Sequence, residues 1–318
     1  MPVVIENSRL KVGVDPDRGG AICFLGRGGS GDNLLNAFDC GRFVQQSYYG
    51  ADDGSDWNGK PWRWNPVQGG SWENRPAQVV ACEKASGQKL RTVVHPRNWA
   101  GQQLLDDVTM TAGITLQPDH VHLEHTFEYT GGTQHPVRIQ ELPAVFVVRR
   151  LSQLVFYEGD KPWTGGILQS KTPGFPNVDY KMDENWAAWV DPATQEGVGV
   201  WVPWCSTMTS YRVGDNDNSC QSCDCSYFAP TIRFAVTPGM KFTYHAFICI
   251  GSVDEMRTTF NNIRGWAKGN RPEWLACPIP GAAPALPGRT HPEPGQAPRP
   301  TDVPLAQELP MGKCCAIQ

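Results

Sequence analysis

Apolar and polar positions alternate over most of this chain. From Asp107 to Gln117, the residues Val108, Met110, Ala112, Ile114 and Leu116 fall on one face. From Asp119 to Thr130, the residues Val121, Leu123, His125, Phe127 and Tyr129 share a face, and His122, Glu124, Thr126 and Glu128 share the opposite one. A period of two places successive side chains on alternate sides of an extended backbone, so each run predicts a half-buried strand. Shorter runs predict strands over 9–14, 20–25, 77–84, 88–95, 137–149, 153–157, 185–191, 198–203, 230–236 and 240–250. Gly, Pro, Asn and Asp break these runs at short intervals, as in stacked antiparallel sheets. One helix is predicted, near 253–267. Ser252 and Glu255 form a capping box, and Val253, Met256, Phe260 and Ile263 then repeat at helical spacing. Trp266 and Trp274 are placed to pin its exit. No helix-length pattern alternates with the strands, which excludes a doubly wound fold. The expectation is an all-β, two-sheet antiparallel sandwich over residues 1–275 with one C-terminal helix.

After residue 275 the pattern stops. Between Pro278 and Pro310 lie ten of the 27 prolines, with Gly, Ala, Thr and Gln between them. Such a segment buries too little apolar surface to offset its ordering entropy, so 276–313 is expected to be a disordered, extended linker. It leads to Cys314-Cys315-Ala316-Ile317-Gln318. A cysteine fourth from the end, two small or aliphatic residues and Gln match the prenylation signal, with a farnesyl group expected on Cys315. Cys314 is a second thiol able to carry a palmitoyl chain, and two lipids anchor where one gives marginal residence. Residues 314–318 therefore predict a eukaryotic protein held on the cytoplasmic side of a membrane. A Pro-rich ligand for an SH3-like partner finds only a thin match in Pro298-Arg299-Pro300.

Charge narrows the partners. The formal net charge is −4 and 19% of residues are charged, with no basic stripe, so nucleic acid is not expected as a partner. No run of eighteen apolar residues predicts a membrane span, and the N-terminus lacks the basic start and apolar core of a signal peptide. The eleven cysteines are then expected as free thiols in a reducing compartment. Cys220, Cys223 and Cys225 have spacing that suits zinc. A closed site needs four ligands, and no second pair follows, so a metal-free loop is expected. No cofactor fingerprint is present: there is no P-loop, dinucleotide motif or nucleophile elbow.

Residues 41–73 differ from the rest. Four of the twelve tryptophans (Trp57, Trp62, Trp64, Trp72) sit here with Tyr48 and Tyr49, interleaved with Gln45, Gln46, Asn58, Asn65 and Gln68. Aromatic faces with placed amides suit the apolar side and the hydroxyls of a sugar ring. The same tryptophans could instead plug the end of the sandwich core. Glu141 interrupts an otherwise apolar strand, where a carboxylate must be paired or functional. Gln45, Gln46, Tyr48, Trp64, Asn65, Gln68 and Trp72 are therefore candidate contacts to a saccharide-like ligand, in long loops converging on one cleft, with Glu141 as candidate catalytic residue. Glu124, His122 and Glu128 share one strand face and could do acid–base work if that face were enclosed.

Several stretches, Asp15-Pro16-Asp17-Arg18-Gly19-Gly20, Asn33-Leu34-Leu35-Asn36, Asp39 to Gly50, Trp64-Asn65-Pro66-Val67-Gln68-Gly69-Gly70, Tyr227-Phe228-Ala229-Pro230 and Phe234-Ala235-Val236-Thr237-Pro238-Gly239, resemble the galactose mutarotase-like group. The resemblance covers roughly 1–275. It implies a β-supersandwich with a carbohydrate-binding concave face, as in epimerases, glycoside hydrolases and polysaccharide lyases. The Asn-His motif and separate His and Glu of aldose mutarotases have no placeable counterpart, so those catalytic residues do not transfer. Two classes of function follow: a carbohydrate-active enzyme using acid–base chemistry, or a non-catalytic sugar-binding or scaffold domain at the cytoplasmic membrane face.

Overall fold

The computed structural model describes residues 2–214 and 217–285. Cys314 and Cys315, and with them the lipidation signal, lie outside the described residues. Two large sheets face each other. The first runs in the order Val3–Glu6, Leu10–Val14, Ile22–Arg27, Val44–Ser47, Arg138–Val148, Cys225–Phe234, Thr207–Val213, Val178–Lys181, with three short strands off this path. The second runs Gln169–Lys171, Gln153–Phe156, Trp186–Val190, Glu196–Trp201, Lys241–Ser252, Val121–Tyr129, Val108–Leu116, Lys89–His95, Gln78–Ser86. Neighbouring strands pair antiparallel.

The alternation translates directly into packing. Val121, Leu123, His125, Phe127 and Tyr129 are buried between the sheets, whereas Glu124 on the other face is exposed. Apolar side chains from both inner faces make one continuous core, and removal of that area from water is the main favourable term of the fold. The helix spans Val253–Asn270 with both capping-box hydrogen bonds formed, and buries Met256, Phe260, Ile263 and Ala267 against the outer face of the second sheet. Trp266 meets Trp274 with ring centroids 5.6 Å apart, closing the helix exit.

Three stretches differ from the sequence expectation. Residues 41–73 are not long exposed loops: they contain the central strand Val44–Ser47 and the hairpin Asp52–Trp57/Lys60–Arg63. The hairpin turns at Asn58-Gly59, both at positive φ, the dipeptide that matches strand twist in a two-residue turn. The strands Thr207–Val213 and Val178–Lys181 carry Thr, Ser, Tyr and Lys, so their alternation is weak in sequence. Residues 276–285, assigned above to the linker, pack on the sandwich. Ile279 and Ala285 are buried at 5% and 3% exposure, and Ala283–Pro284 pairs with Arg233 and Ile232. A proline is tolerated there because the short strand lies off the main ladder, where it needs few amide donors.

Candidate functional site

Residues directly opposite on neighbouring strands point to the same face, so strand register alone assembles a site. Ser47, Glu141 and Thr231 lie in one row across the first sheet; Gln45 and Ala144 lie in the next; Phe146, Tyr227 and Tyr211 form a third. All point away from the second sheet. A register shift between Glu141 and Ala144, at Leu142-Pro143, bends the strand just beyond the carboxylate. Such bulges re-aim side chains.

Glu141 is 6% exposed. Its Oε1 accepts hydrogen bonds from the Tyr49 hydroxyl at 3.0 Å and from the Tyr227 hydroxyl. Burial, and then the Glu141 charge, push both phenols far above their ordinary pKa, so they stay protonated and donate. Arg63, buried at 4% on the adjacent hairpin, acts in the opposite sense on Tyr49. Tyr227 packs against Phe146 and Tyr211, with centroids at 4.6 and 4.7 Å. Beyond them Arg42 pairs with Asp39 at 3.3 Å, both nearly fully buried, and the guanidinium stands 5.9 Å from the Phe146 ring. Phe175 leans edge-on against Tyr211 at 5.9 Å, and Asn177 Nδ2 donates to Thr209 Oγ1 at 3.1 Å, so the segment 175–177 covers one end of this face. The cluster meets solvent at the half-buried Tyr49. Chemically it offers one carboxylate with two proton-bearing phenols, enclosed by aromatic rings and positive charge.

The sequence-selected residues do not converge there. Only Gln45 shares the face with Glu141, and its Oε1 is engaged by the Gly69 amide at 2.7 Å. Gln46 and Tyr48 point the other way, between the sheets. Gln46 Nε2 donates to the Thr111 and Thr126 carbonyls of the second sheet at 3.1 and 3.4 Å, and the Tyr48 hydroxyl donates to Gln46 Oε1 at 3.1 Å. Gln68 Oε1 accepts from the Gln46 amide at 3.3 Å, and Asn65 Nδ2 donates to the Tyr48 carbonyl at 2.7 Å. Trp64 stacks on His135 with centroids 4.0 Å apart. Trp57, Trp62 and Trp72 gather around Trp99 at 5.5, 5.2 and 6.4 Å. The expected single cleft is thus divided: the amides bond to backbone and to one another, the indoles pack ring against ring, and Gln45 Nε2, Gln68 Nε2, Trp57 Nε1 and Trp72 Nε1 are buried without a hydrogen-bond partner among the described residues. Glu124 is exposed on the second sheet, away from Glu141.

The stretches carrying the family resemblance interlock as scaffold. A Cβ at Gly19 would stand 1.8 Å from the Gly69 carbonyl oxygen, so glycine is required where Asp15–Gly20 crosses Trp64–Gly70. The cysteine stretch is a latch: Asn36 Nδ2 donates to the Ser222 and Asp224 carbonyls, and Arg42 Nη1 to that of Cys223. Among the described residues, no group of three or more His, Cys, Asp or Glu side chains is placed to hold a metal ion.

Tyr49, Tyr227, Tyr211, Arg42, Asp39 and Arg63 were not selected from sequence. Tyr49 had a usable signal: if Tyr48 faces the core of a strand, its neighbour faces out. The others come from strands far apart in the chain, which no local pattern connects.

No protein-family model matches the chain, and no curated protein sequence does. Solved structures do match in fold. A galactose mutarotase related enzyme from Lactobacillus acidophilus superposes with a TM-score of 0.52 at 11% identity, over 79% of this chain and 98% of that one. A galactose mutarotase-like protein from Lactobacillus casei gives 0.52 at 11% identity, over 79% and 100%. A putative aldose 1-epimerase from Escherichia coli gives 0.50 at 13% identity, over 79% and 98%. The chain therefore has the galactose mutarotase-like β-sandwich fold. At these identities the likeness establishes the fold and not the chemistry.

Proposed function

We propose that this is a carbohydrate-active or carbohydrate-binding protein whose saccharide-like ligand contacts the Glu141 face of the first sheet. The observation that carries this reading is the Glu141 carboxylate, clasped by Tyr49 and Tyr227 in an aromatic surround. Proteins sharing the fold include a galactose mutarotase related enzyme and a putative aldose 1-epimerase, and these support the ligand class. The hydroxyl–carboxylate contact between Tyr227 and Glu141 favours a catalytic role: the carboxylate can accept a proton from the ligand, while the phenols, which keep their protons, hold that carboxylate in place by hydrogen bonds. Among the described residues no imidazole lies on this face. His95, His122, His125 and His245 sit on the second sheet, His120 in the turn leading into it, and His135 against Trp64. Acid–base chemistry here belongs to carboxylate and phenol.

The test is Glu141→Gln, which keeps shape and removes proton transfer. In an enzyme, turnover of a productive saccharide falls at least about a hundredfold while binding changes little. In a binding module, Glu141→Gln weakens binding by about tenfold to a hundredfold, the scale of one hydrogen bond to a charge. Unchanged binding and turnover in both Glu141→Gln and Tyr49→Phe would refute the site.

The lipid anchor is a second component of the proposal. If Gln318 ends the protein, Cys315 would carry a farnesyl group and Cys314 a palmitoyl chain, and the two would hold the protein on a cytoplasmic membrane face. Support comes from the terminal motif. Cys315→Ser should release the protein to the soluble fraction of a eukaryotic cell, and Cys314→Ser should do so partially. An unchanged distribution would overturn the anchor.

A further inference from the structure

On the far side of the molecule from Glu141, a cavity of about 150 Å³ opens beside the helix exit. Its walls include Trp204, Thr243, His245, Glu273, Trp274 and Ala276. Thr243 and His245 come from the Lys241–Ser252 strand, and Glu273 and Trp274 from the turn Pro272–Leu275. The segment after that turn, read from sequence as linker, supplies Ala276. Trp274 is fixed in place, with its ring 4.6, 4.9 and 5.6 Å from those of His122, His245 and Phe247.

The polar groups suit an uncharged ligand. His122 Nε2 and His245 Nδ1 share a hydrogen bond at 3.0 Å. Burial, then the mutual proximity of the imidazoles, keeps His122 neutral down to about 3, and burial also lowers His245. In a neutral pair, His245 Nε2 is a donor when its Nδ1 accepts from His122, and an acceptor when its Nδ1 donates. That Nε2 makes no hydrogen bond within the described residues, so it can answer either end of a ligand hydroxyl. Thr243 Oγ1 bonds Thr126 Oγ1 at 2.8 Å and keeps further hydrogen-bonding capacity. A cationic ligand is a poor match. Arg271 already stands 5.8 Å from the Trp274 ring centroid, and Glu273 pairs with that same arginine at 3.5 Å. A cavity of about 150 Å³ holds one six-membered ring.

The geometry points to a second binding site, for a single neutral, polyhydroxylated six-membered ring such as a terminal pyranose. It is independent of the Glu141 reading, since it shares no residue with that face. Saturation-transfer difference NMR on the full chain tests it, with methyl β-galactopyranoside and methyl β-glucopyranoside as probes. Ala276 is exposed, so Ala276→Trp fills the cavity without removing a wall; thermal unfolding verifies that the fold is kept. Wild type should bind at least one glycoside, and Glu141→Gln should retain this binding. Ala276→Trp should weaken it about tenfold or more, because the added indole occupies the space of the ligand ring. His245→Phe, which keeps a ring and removes Nε2, should weaken it about fivefold. No transfer to either glycoside in wild type would overturn this site while leaving the Glu141 test standing. Transfer lost in Glu141→Gln yet unchanged in Ala276→Trp would assign the ring to the other face and overturn this site as well.

Discussion

Gln45 and Gln46 are chain neighbours with the same side chain, and the strand sends them to opposite worlds. Gln46 enters the space between the sheets, where it ties its strand to the Thr111 and Thr126 carbonyls of the facing sheet and accepts from Tyr48. Gln45 faces out, in the row next to that of Glu141. The same division separates Tyr48, buried among Phe127, Phe234 and Phe242, from Tyr49, which donates to Glu141. On the inner side, polar groups are neutral and serve as ties within an apolar core. On the outer side they include Glu141, Asp39, Arg42 and Arg63, charges whose desolvation is tolerable only with charged or hydrogen-bonding partners. A site for ligand chemistry belongs to the side that keeps charge and reaches solvent.

The largest effect that would break this comparison lies on the inner side. Gln46→Leu removes the donor to the Thr111 and Thr126 carbonyls together with the Tyr48 acceptor, and should cost about 2–3 kcal/mol in urea unfolding. Ligand binding at Glu141 should be unaffected by it. A variant as stable as wild type would remove the structural role assigned to Gln46.

The inner side should also respond to acid. Burial lowers His125 from 6.5 to about 3 in the folded protein. The unfolded chain takes up that proton near the ordinary value while the folded chain refuses it. Stability from this residue is therefore complete above pH 6.5 and declines as pH falls toward 3. Urea midpoints measured between pH 7.5 and 4.5 should fall, and fall less steeply in His125→Phe. Parallel profiles for the two proteins would show that His125 is not held neutral.

Outer-side substitutions should be smaller in stability and larger in function. Tyr227→Phe removes one donor to Glu141 and should cost about 1 kcal/mol, because Tyr49 still donates to the same oxygen. Its effect on turnover or binding should exceed that of Gln46→Leu. The reverse order would place function on the inner side.

Much of this fold was readable from the chain. The strands over 107–130 and the capped helix announced themselves because apolar period and burial coincide. The central strand Val44–Ser47 did not, since its Gln and Ser side chains mask the alternation that Val44 and Tyr48 alone would show. Composition marked residues 41–73 as unusual but could not distinguish amides that bind a ligand from amides that bind one another. Glu141 was identifiable as a carboxylate needing partners. Its partners were not, because Tyr49 and Tyr227 lie 92 and 86 residues away in the chain and are brought to it by the pairing of strands. Ile279, an apolar residue amid prolines, was the overlooked sign that the sandwich continues past residue 275.

Whether ligand meets the Glu141 face is read most directly from the two adjacent tyrosines. Protein labelled with 13C on its tyrosine rings, titrated with a panel of mono- and oligosaccharides, reports Tyr48 and Tyr49 separately. A binding saccharide should shift Tyr49 and Tyr227 and leave Tyr48 unmoved, and Glu141→Gln should diminish the response. If no saccharide moves Tyr49 or Tyr227, or if Tyr48 moves in their place, the assignment of this face is contradicted.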